Sequence, residues 1–407
     1  MKFRATLVVI AGFITLSSCQ VKTSEDKQPV LQWSFPTGGQ IVASPLVDEN
    51  VVFIGSGDSC FYAMSKNEGQ LLWTYKTAGK IRSTAALSSD RLVFMSDDGV
   101  LHALNKDSGE KIWEFRTAGE KKKDIWDYFL SSPKIRNNKV YVGSGAGIFN
   151  ALDLHSGEEV FSFKTGGIIH SSPVIKDGKA YFGSYDGYFY ALDALSGKLI
   201  WKFKAVGDTY FPKGAIQNDA VFVDHKLVVG SRDFNIYALD AEKGFAHWNM
   251  KEKGSWVVSP VIAAGDTIFA GTSDSHRLLA MGAKRGQLLW TADFPLNIFG
   301  GVAVDQNHVF VGCHDGKFYM LDRDSGEICW HFTAEPNSKY RDKLLDGDNK
   351  LREDLAEVYE NDFYAIYDDM LKLGSFLATP FLSGDAIITA STNGKVYCFS
   401  YAGQVTG

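Results

Sequence analysis

The chain repeats itself, and the period of the repeat limits the folds open to it. An aromatic residue closing a strand-like run appears as Trp33, Trp73, Trp113, Phe161, Trp201, Trp248, Trp290 and Trp330, at intervals of 40, 40, 48, 40, 47, 42 and 40 residues. A second phrase recurs eight times along the chain, as FYAM, LHAL, FNAL, FYAL, IYAL, LLAM, FYML and VYCF. Self-similarity with a period near 40 marks units that cannot bury their apolar faces alone and must stack on their neighbours. Within one unit the runs SSPVI, KAYFGS, YFYALD and KLIWKF each read as a short strand, alternating and rich in Val, Ile, Phe, Tyr and Trp. Asp186-Gly187 supplies a turn before the third run and Ser196-Gly197 before the fourth. Four short strands per repeat, with helical periodicity nearly absent, describe the blades of a β-propeller.

The ends of the chain settle the number of blades. LQWSF at 31–35 is a fourth strand with no three before it, and VYCFSYAGQVTG ends the chain as a third strand with no fourth after it. Pairing the two completes an eighth blade and removes an open sheet edge. The expected fold is all-β: an eight-bladed propeller of four-stranded blades over 31–407, closed by the N- and C-terminal strands, with one partly helical insertion at 336–373. In this scheme the repeat aromatic packs between blades, the glycine allows a turn, and Asp98, Asp186, Asp233, Asp274 and Asp315 cap equivalent turns. The register also disposes of two decoys. GSGAG at 143–147 resembles a phosphate loop but lies in the register of GSYDG at 183–187, with no helix after it. DGDNKLREDLAE at 346–357 places Lys350 and Leu351 where a calcium loop needs an oxygen ligand and a glycine.

The first residues have a different character. Lys2 and Arg4 precede an apolar stretch, Ala5 to Leu16, too short to span a bilayer and readable as an export signal. It ends in LSSC, which resembles the lipobox of bacterial lipoproteins. That resemblance implies a signal peptide at 1–18, acylation of Cys19, and a polar tether at 19–30 too rich in charge to fold. Gln20 in place of Asp implies, by similarity to enterobacterial sorting, an outer-membrane anchor on the periplasmic or cell-surface side. A net charge of −6 argues against nucleic acid as a partner, because phosphate binding needs a basic face. Cys60, Cys313, Cys329 and Cys398 remain; no two are adjacent and none forms a CxxC, so they read as buried free thiols.

From Phe182 onwards the pattern FGSxDGxxYALDxxSGxxxWxF, nearly intact apart from the spacing of its last turns, resembles the PQQ-like propeller repeat. The resemblance covers about residues 31 to 407, and two branches share it: quinoprotein alcohol dehydrogenases, and lipoproteins similar to the outer-membrane assembly factor BamB. Chain length and the lipobox favour the lipoprotein branch. Membership there implies a non-catalytic, monomeric scaffold without cofactor, whose partners are envelope proteins, including an outer-membrane assembly machine. The dehydrogenase branch would imply PQQ beneath a ring of two adjacent bonded cysteines, with calcium and a catalytic Asp. This sequence has no adjacent cysteine pair, and none of the other motifs can be placed. Carbohydrate or peptide recognition is a further alternative, because propellers host many unrelated functions.

Residues that the repeat does not require are candidates for function. The distance from the repeat aromatic to the proline of SSP, or its counterpart, is 12 residues in most blades, including Trp248 to Pro260. It grows to 20 from Trp113 to Pro133, about 19 from Trp201 to Ala220 and 50 from Trp330 to Pro380. All three insertions therefore occupy one topological slot and belong to one face, as binding loops commonly do. Trp126, Tyr128, Tyr210, Lys213 and Trp256 are candidate partner-binding residues, aromatics with basic neighbours being the usual material of hot spots. The alternative is that these aromatics staple the loops to the propeller. In the acidic third insertion Leu351, Leu355 and Val358 stand at helical spacing. These loops are expected to be removable at little cost to stability. A second candidate set lines the channel mouth: three residues before the proline slot, Arg82, His170 and Gln217 interrupt the apolar series Val42, Leu130, Val257, Phe299 and Leu377. They read as hydrogen-bonded residues lining a wet channel or as ligand contacts. No nucleophile–base pair and no metal cluster is legible; Cys313, between His308 and His314, replaces a repeat Ser and reads as a core thiol.

Overall fold

The computed structural model describes residues 28–335, 338–347 and 350–401. Cys19, the signal and most of the tether lie outside them. The described residues form eight four-stranded antiparallel sheets, seven of them built from consecutive strands: 46–76, 86–116, 134–164, 174–204, 221–251, 262–293 and 303–333. We number these blades 1 to 7. Blade 8 combines the three strands of 381–400 with the N-terminal strand β1 (Val30–Pro36), which pairs antiparallel with Lys395–Ser400. The expected count and closure both hold. The innermost strands are short, three residues in most blades, and sit around a central channel.

Each repeat residue has a structural task. The indole of Trp201 lies over the turn glycine of the next blade, Gly244, whose φ of +75° a side chain would disfavour and whose Cβ would stand 2.5 Å from the ring. Its Nε1 donates to the Ala241 carbonyl at 3.1 Å. Trp33, Trp73, Trp113, Trp248 and Trp290 do the same for their following blades. Phe161 has no N–H to give, and the hydroxyl of Tyr141 reaches the matching Ala194 carbonyl instead, at 2.9 Å. Three of the five turn aspartates, Asp186, Asp233 and Asp315, cap the backbone. Asp186 accepts from the Tyr188 N–H, the Tyr190 hydroxyl and the N–H of Gly166 in the loop arriving from the previous blade. Asp98 and Asp274 instead accept from the Ser96 and Ser273 hydroxyls, Ser275 taking the register of Asp186 in blade 6. The core is thus a ring of layers between blades, with pairs such as Phe61–Phe94 and Phe149–Phe182 stacked at 4.2 Å.

The third insertion carries α1 (Ser338–Leu344), α2 (Leu355–Val358) and α3 (Phe363–Leu371). Leu351, Leu355 and Val358 do not share one helix. Leu351 bridges to Leu345, Leu355 is buried in α2, and Val358 faces solvent. Asp362 caps α3 by accepting from the Ala365 N–H at 3.1 Å, and Ile366 and Met370 bury its inner face one turn apart. None of the described helices is long and apolar enough to cross a membrane. Among the described residues Cys60, Cys313, Cys329 and Cys398 form no disulfide; Cys313 and Cys398 are buried as expected, whereas Cys60 is half-buried and Cys329 exposed on an outermost strand.

Candidate binding face and channel

Loops leaving an outermost strand lie on the same face as the turns that precede third strands, as the bonds from Gly57 N to the Gln40 carbonyl and from Thr37 N to the Gly394 carbonyl show. All three insertions share this face. At its centre the position before the hydroxyl–proline element forms a ring around the channel. Five members are apolar and buried: Val42, Leu130, Val258, Phe299 and Leu377. The sixth residue of the eight-member series, ahead of blade 6, is Val258 rather than Val257. Ile262 faces Phe269 as Val174 faces Tyr181, so Val261 takes the proline slot and Pro260 the place of Ser172. Onto this apolar half the first insertion lowers Tyr128 and Trp126; Trp126 stacks on Phe299 at 5.6 Å and meets Tyr367 of α3 at 4.0 Å. The side chains close the channel at this end.

The other half of the ring is polar, and each of its three side chains is held by hydrogen bonds. His170 is buried, its Nδ1 2.7 Å from Asp127 Oδ1 and its Nε2 3.1 Å from Glu120 Oε2. Burial alone would lower its pKa, but the two carboxylates outweigh it and push the imidazole up to about 9. Burial likewise opposes the charge of Asp127; the His170 bond, the Lys123 N–H and nearby Arg82 prevail and hold its pKa below the usual value. Arg82 donates through Nε to Asp97 at 2.7 Å and through a terminal nitrogen to the Asp127 carbonyl, also at 2.7 Å. Gln217 Oε1 accepts from the Tyr185 hydroxyl at 3.0 Å and from Arg232 Nε at 2.6 Å, and Arg232 reaches on to Asp124 in the first insertion. Arg232 is also stacked on Trp256, 4.6 Å from its ring, while Phe211 of the second insertion packs on the same indole at 4.7 Å. One network therefore joins all three candidate channel residues to two insertions.

The candidate partner-binding residues separate. Tyr210, 79% exposed, and Lys213 lie on the surface of the second insertion. Trp126 and Trp256 are half-buried, and Tyr128 is buried against Phe299 and His314, so it belongs to the plug and offers no surface. On α3, Phe363 and Tyr364, 55% and 70% exposed, were not among the candidates. Glu120, Asp124, Asp127, Tyr185 and Arg232 were also missed. Tyr185 and Arg232 had a readable signal, because each directly precedes a turn Asp, where blades 1 and 3 carry Gly57 and Gly145.

Residues 21–131 and 97–332 match the family model described as outer membrane protein assembly factor BamB. The chain belongs to the BamB family. Among solved structures, this BamB-family chain is similar to BamB from Moraxella catarrhalis, with a TM-score of 0.69, 17% identity, and 92% of this chain and 100% of that one covered. It is also similar to quinohemoprotein alcohol dehydrogenase from Comamonas testosteroni, with a TM-score of 0.67, 13% identity, and 93% and 77% covered. A computationally designed protein, Ika8, gives a TM-score of 0.66 at 15% identity, covering 91% and 98%. No curated protein matches the BamB-family chain significantly. At such identities the structural likenesses show the propeller alone. The residues at the plugged end do not fit a metal-assisted quinone. The described cysteines form no disulfide, the carboxylates of the polar half are committed to His170, Arg82 and Arg232, and among the described residues no group of three His, Cys, Asp or Glu is placed to hold a metal.

Proposed function

We propose that this BamB-family chain is a non-catalytic envelope lipoprotein, anchored through Cys19 at the outer membrane, that binds a protein partner with its insertion face and helps assemble outer-membrane proteins. The observation that carries the reading is the convergence of three insertions on one face whose channel end is packed shut. That arrangement leaves a broad surface with protruding aromatics, Tyr210, Phe363 and Tyr364, and Lys213 beside the first of them. Broad surfaces with aromatic and basic anchors suit protein partners better than small molecules. Family membership supplies the envelope-assembly role as the specific form of the proposal.

The test is affinity capture from envelopes with the tethered full chain, followed by the variants Tyr210→Ala with Lys213→Ala, and Phe363→Ala with Tyr364→Ala. An assembly component is expected as the main prey, and loss of a true anchor should weaken capture by about 2 kcal/mol or more. Cys19→Ala is expected to leave the membrane fraction. Undiminished capture by both surface variants would move the binding site to another face, and firm membrane attachment of the Cys19 variant would sink the anchor.

A further inference from the structure

Because the plug closes one end, the channel is a cup of about 690 Å³ open at the opposite face, a volume ordinary for a small-molecule site. Its floor is a ring of hydroxyl residues that stitch the blades together. The Ser44 N–H donates to Thr84 Oγ1 at 3.1 Å, that of Thr84 to Ser132 Oγ at 2.9 Å and that of Thr379 to Ser44 Oγ at 2.9 Å. Each of these oxygens takes a backbone proton, while the hydroxyl protons of Ser44, Thr84 and Ser132 have no acceptor among the described residues, which leaves them as donors on a cavity wall.

The wall above the floor is apolar at the first residue of the inner strands, where Leu46, Val174, Val221, Ile262 and Phe381 stand. Blade 3 departs from this. Ser132, Lys134 and Arg136 follow at every second residue, so they share one side of its inner strand and run from floor to mouth. Neither Lys134 nor Arg136 has a hydrogen bond or a contact ion pair among the described residues, although Lys134 lies near enough to Asp219 to favour its charge, and both are exposed within the lining. The lining also holds Asp219, which accepts the Ser172 N–H at 2.6 Å. Arg82 and His170 are compensated by Asp97, Asp127 and Glu120. Beside Ser132 the two cations Lys134 and Arg136 face one carboxylate, Asp219, so this side of the greasy-walled cup is locally cationic.

We propose that the cup binds a single-headed organic anion with an apolar body, an alkyl carboxylate of the fatty-acid type, its head on Ser132, Lys134 and Arg136 and its chain along the apolar ring. This site lies on the face opposite the insertions and does not depend on the protein-binding role. Titration calorimetry with octanoate and with 1-octanol on the whole propeller tests it. Octanoate is expected to bind at one site, about tenfold or more tighter than the alcohol, as a charge-assisted head contact requires. The double variant Lys134→Gln with Arg136→Gln, both at exposed positions, should lose about tenfold in octanoate affinity with an unchanged melting temperature. Added salt should weaken octanoate and leave the alcohol unaffected. Absence of octanoate binding, equal binding of the alcohol, or undiminished binding by the double variant would each overturn the proposal.

Discussion

Two buried histidines at the plugged end carry opposite charge states for reasons visible in their neighbours. His170 sits between two carboxylates and is raised to about 9. His314 is ringed by Tyr128 and Phe299, and burial with His276 nearby pushes it down to about 3. Because the folded-state pKa of His170 lies above its unfolded value, its stabilisation is complete below about pH 6.5 and is lost as pH rises through about 9. The groups facing it are Asp127, Glu120 and, through Asp127, Tyr185 and Arg82. The midpoint of urea unfolding should therefore fall between pH 6.5 and 9, and a His170→Gln variant should flatten that slope; a wild-type midpoint constant across this range would contradict it. Asp127→Ala, which leaves the imidazolium with Glu120 alone and removes an acceptor of the Tyr185 hydroxyl, should cost about 1.5–3 kcal/mol, the worth of a charged hydrogen bond. The sequence made Arg82, His170 and Gln217 visible, because each breaks an otherwise apolar series. It could not pair them, since Asp124 and Asp127 come from an insertion with no repeat register. The one-residue error at Val257 arose where Pro260 stands in a hydroxyl slot and mimics the neighbouring proline.

At the scale of elements, the insertions proved less separable than their lengths suggest. Strand, turn and cap chemistry of the repeat was legible because the same positions recur eight times. An insertion occurs once, and only packing tells whether it lies on the surface or in the core. The first insertion is expected from sequence to be dispensable, yet it delivers Glu120, Asp127, Trp126 and Tyr128 to the closed channel end. Replacing residues 120–128 by a short turn should lower the stability of the propeller by several kcal/mol, about the cost of an unpaired buried charge plus a lost aromatic cluster, read by chemical denaturation. The second insertion divides differently. Tyr210→Ala and Lys213→Ala should each stay within about 0.5 kcal/mol of the parent, because both side chains are exposed. The helical spacing in the third insertion failed for a local reason: the Leu345–Leu351 bridge takes Leu351 out of any helix.

The whole molecule is a ring, and its closure is where sequence and structure agree most fully. Two incomplete blades at the ends of a chain leave few other arrangements. β1 pairs with the last strand from Val30 opposite Ser400 to Pro36 opposite Lys395, with a bulge between Leu31 and Trp33. Deleting residues 30–36 should expose the edge of Lys395–Ser400 and yield oligomers or aggregates by size-exclusion chromatography, while a point change such as Gln32→Ala should leave the protein monomeric. A monomeric deletion variant with an unchanged melting temperature would show that seven and three-quarter blades suffice.

The same closure sets an order in time. The strand made first is the outer strand of a blade whose other three strands are made last. A growing chain must carry it unpaired past seven finished blades, and no hydrogen bond of that ladder can form until residues near Lys395 exist. A chain that lacks the residues near Lys395–Ser400, whether through a stalled ribosome or a clipped end, leaves Val30–Pro36 without its ladder. Pairing of β1 with Lys395–Ser400 thus reports in a single ladder that every blade between them is present.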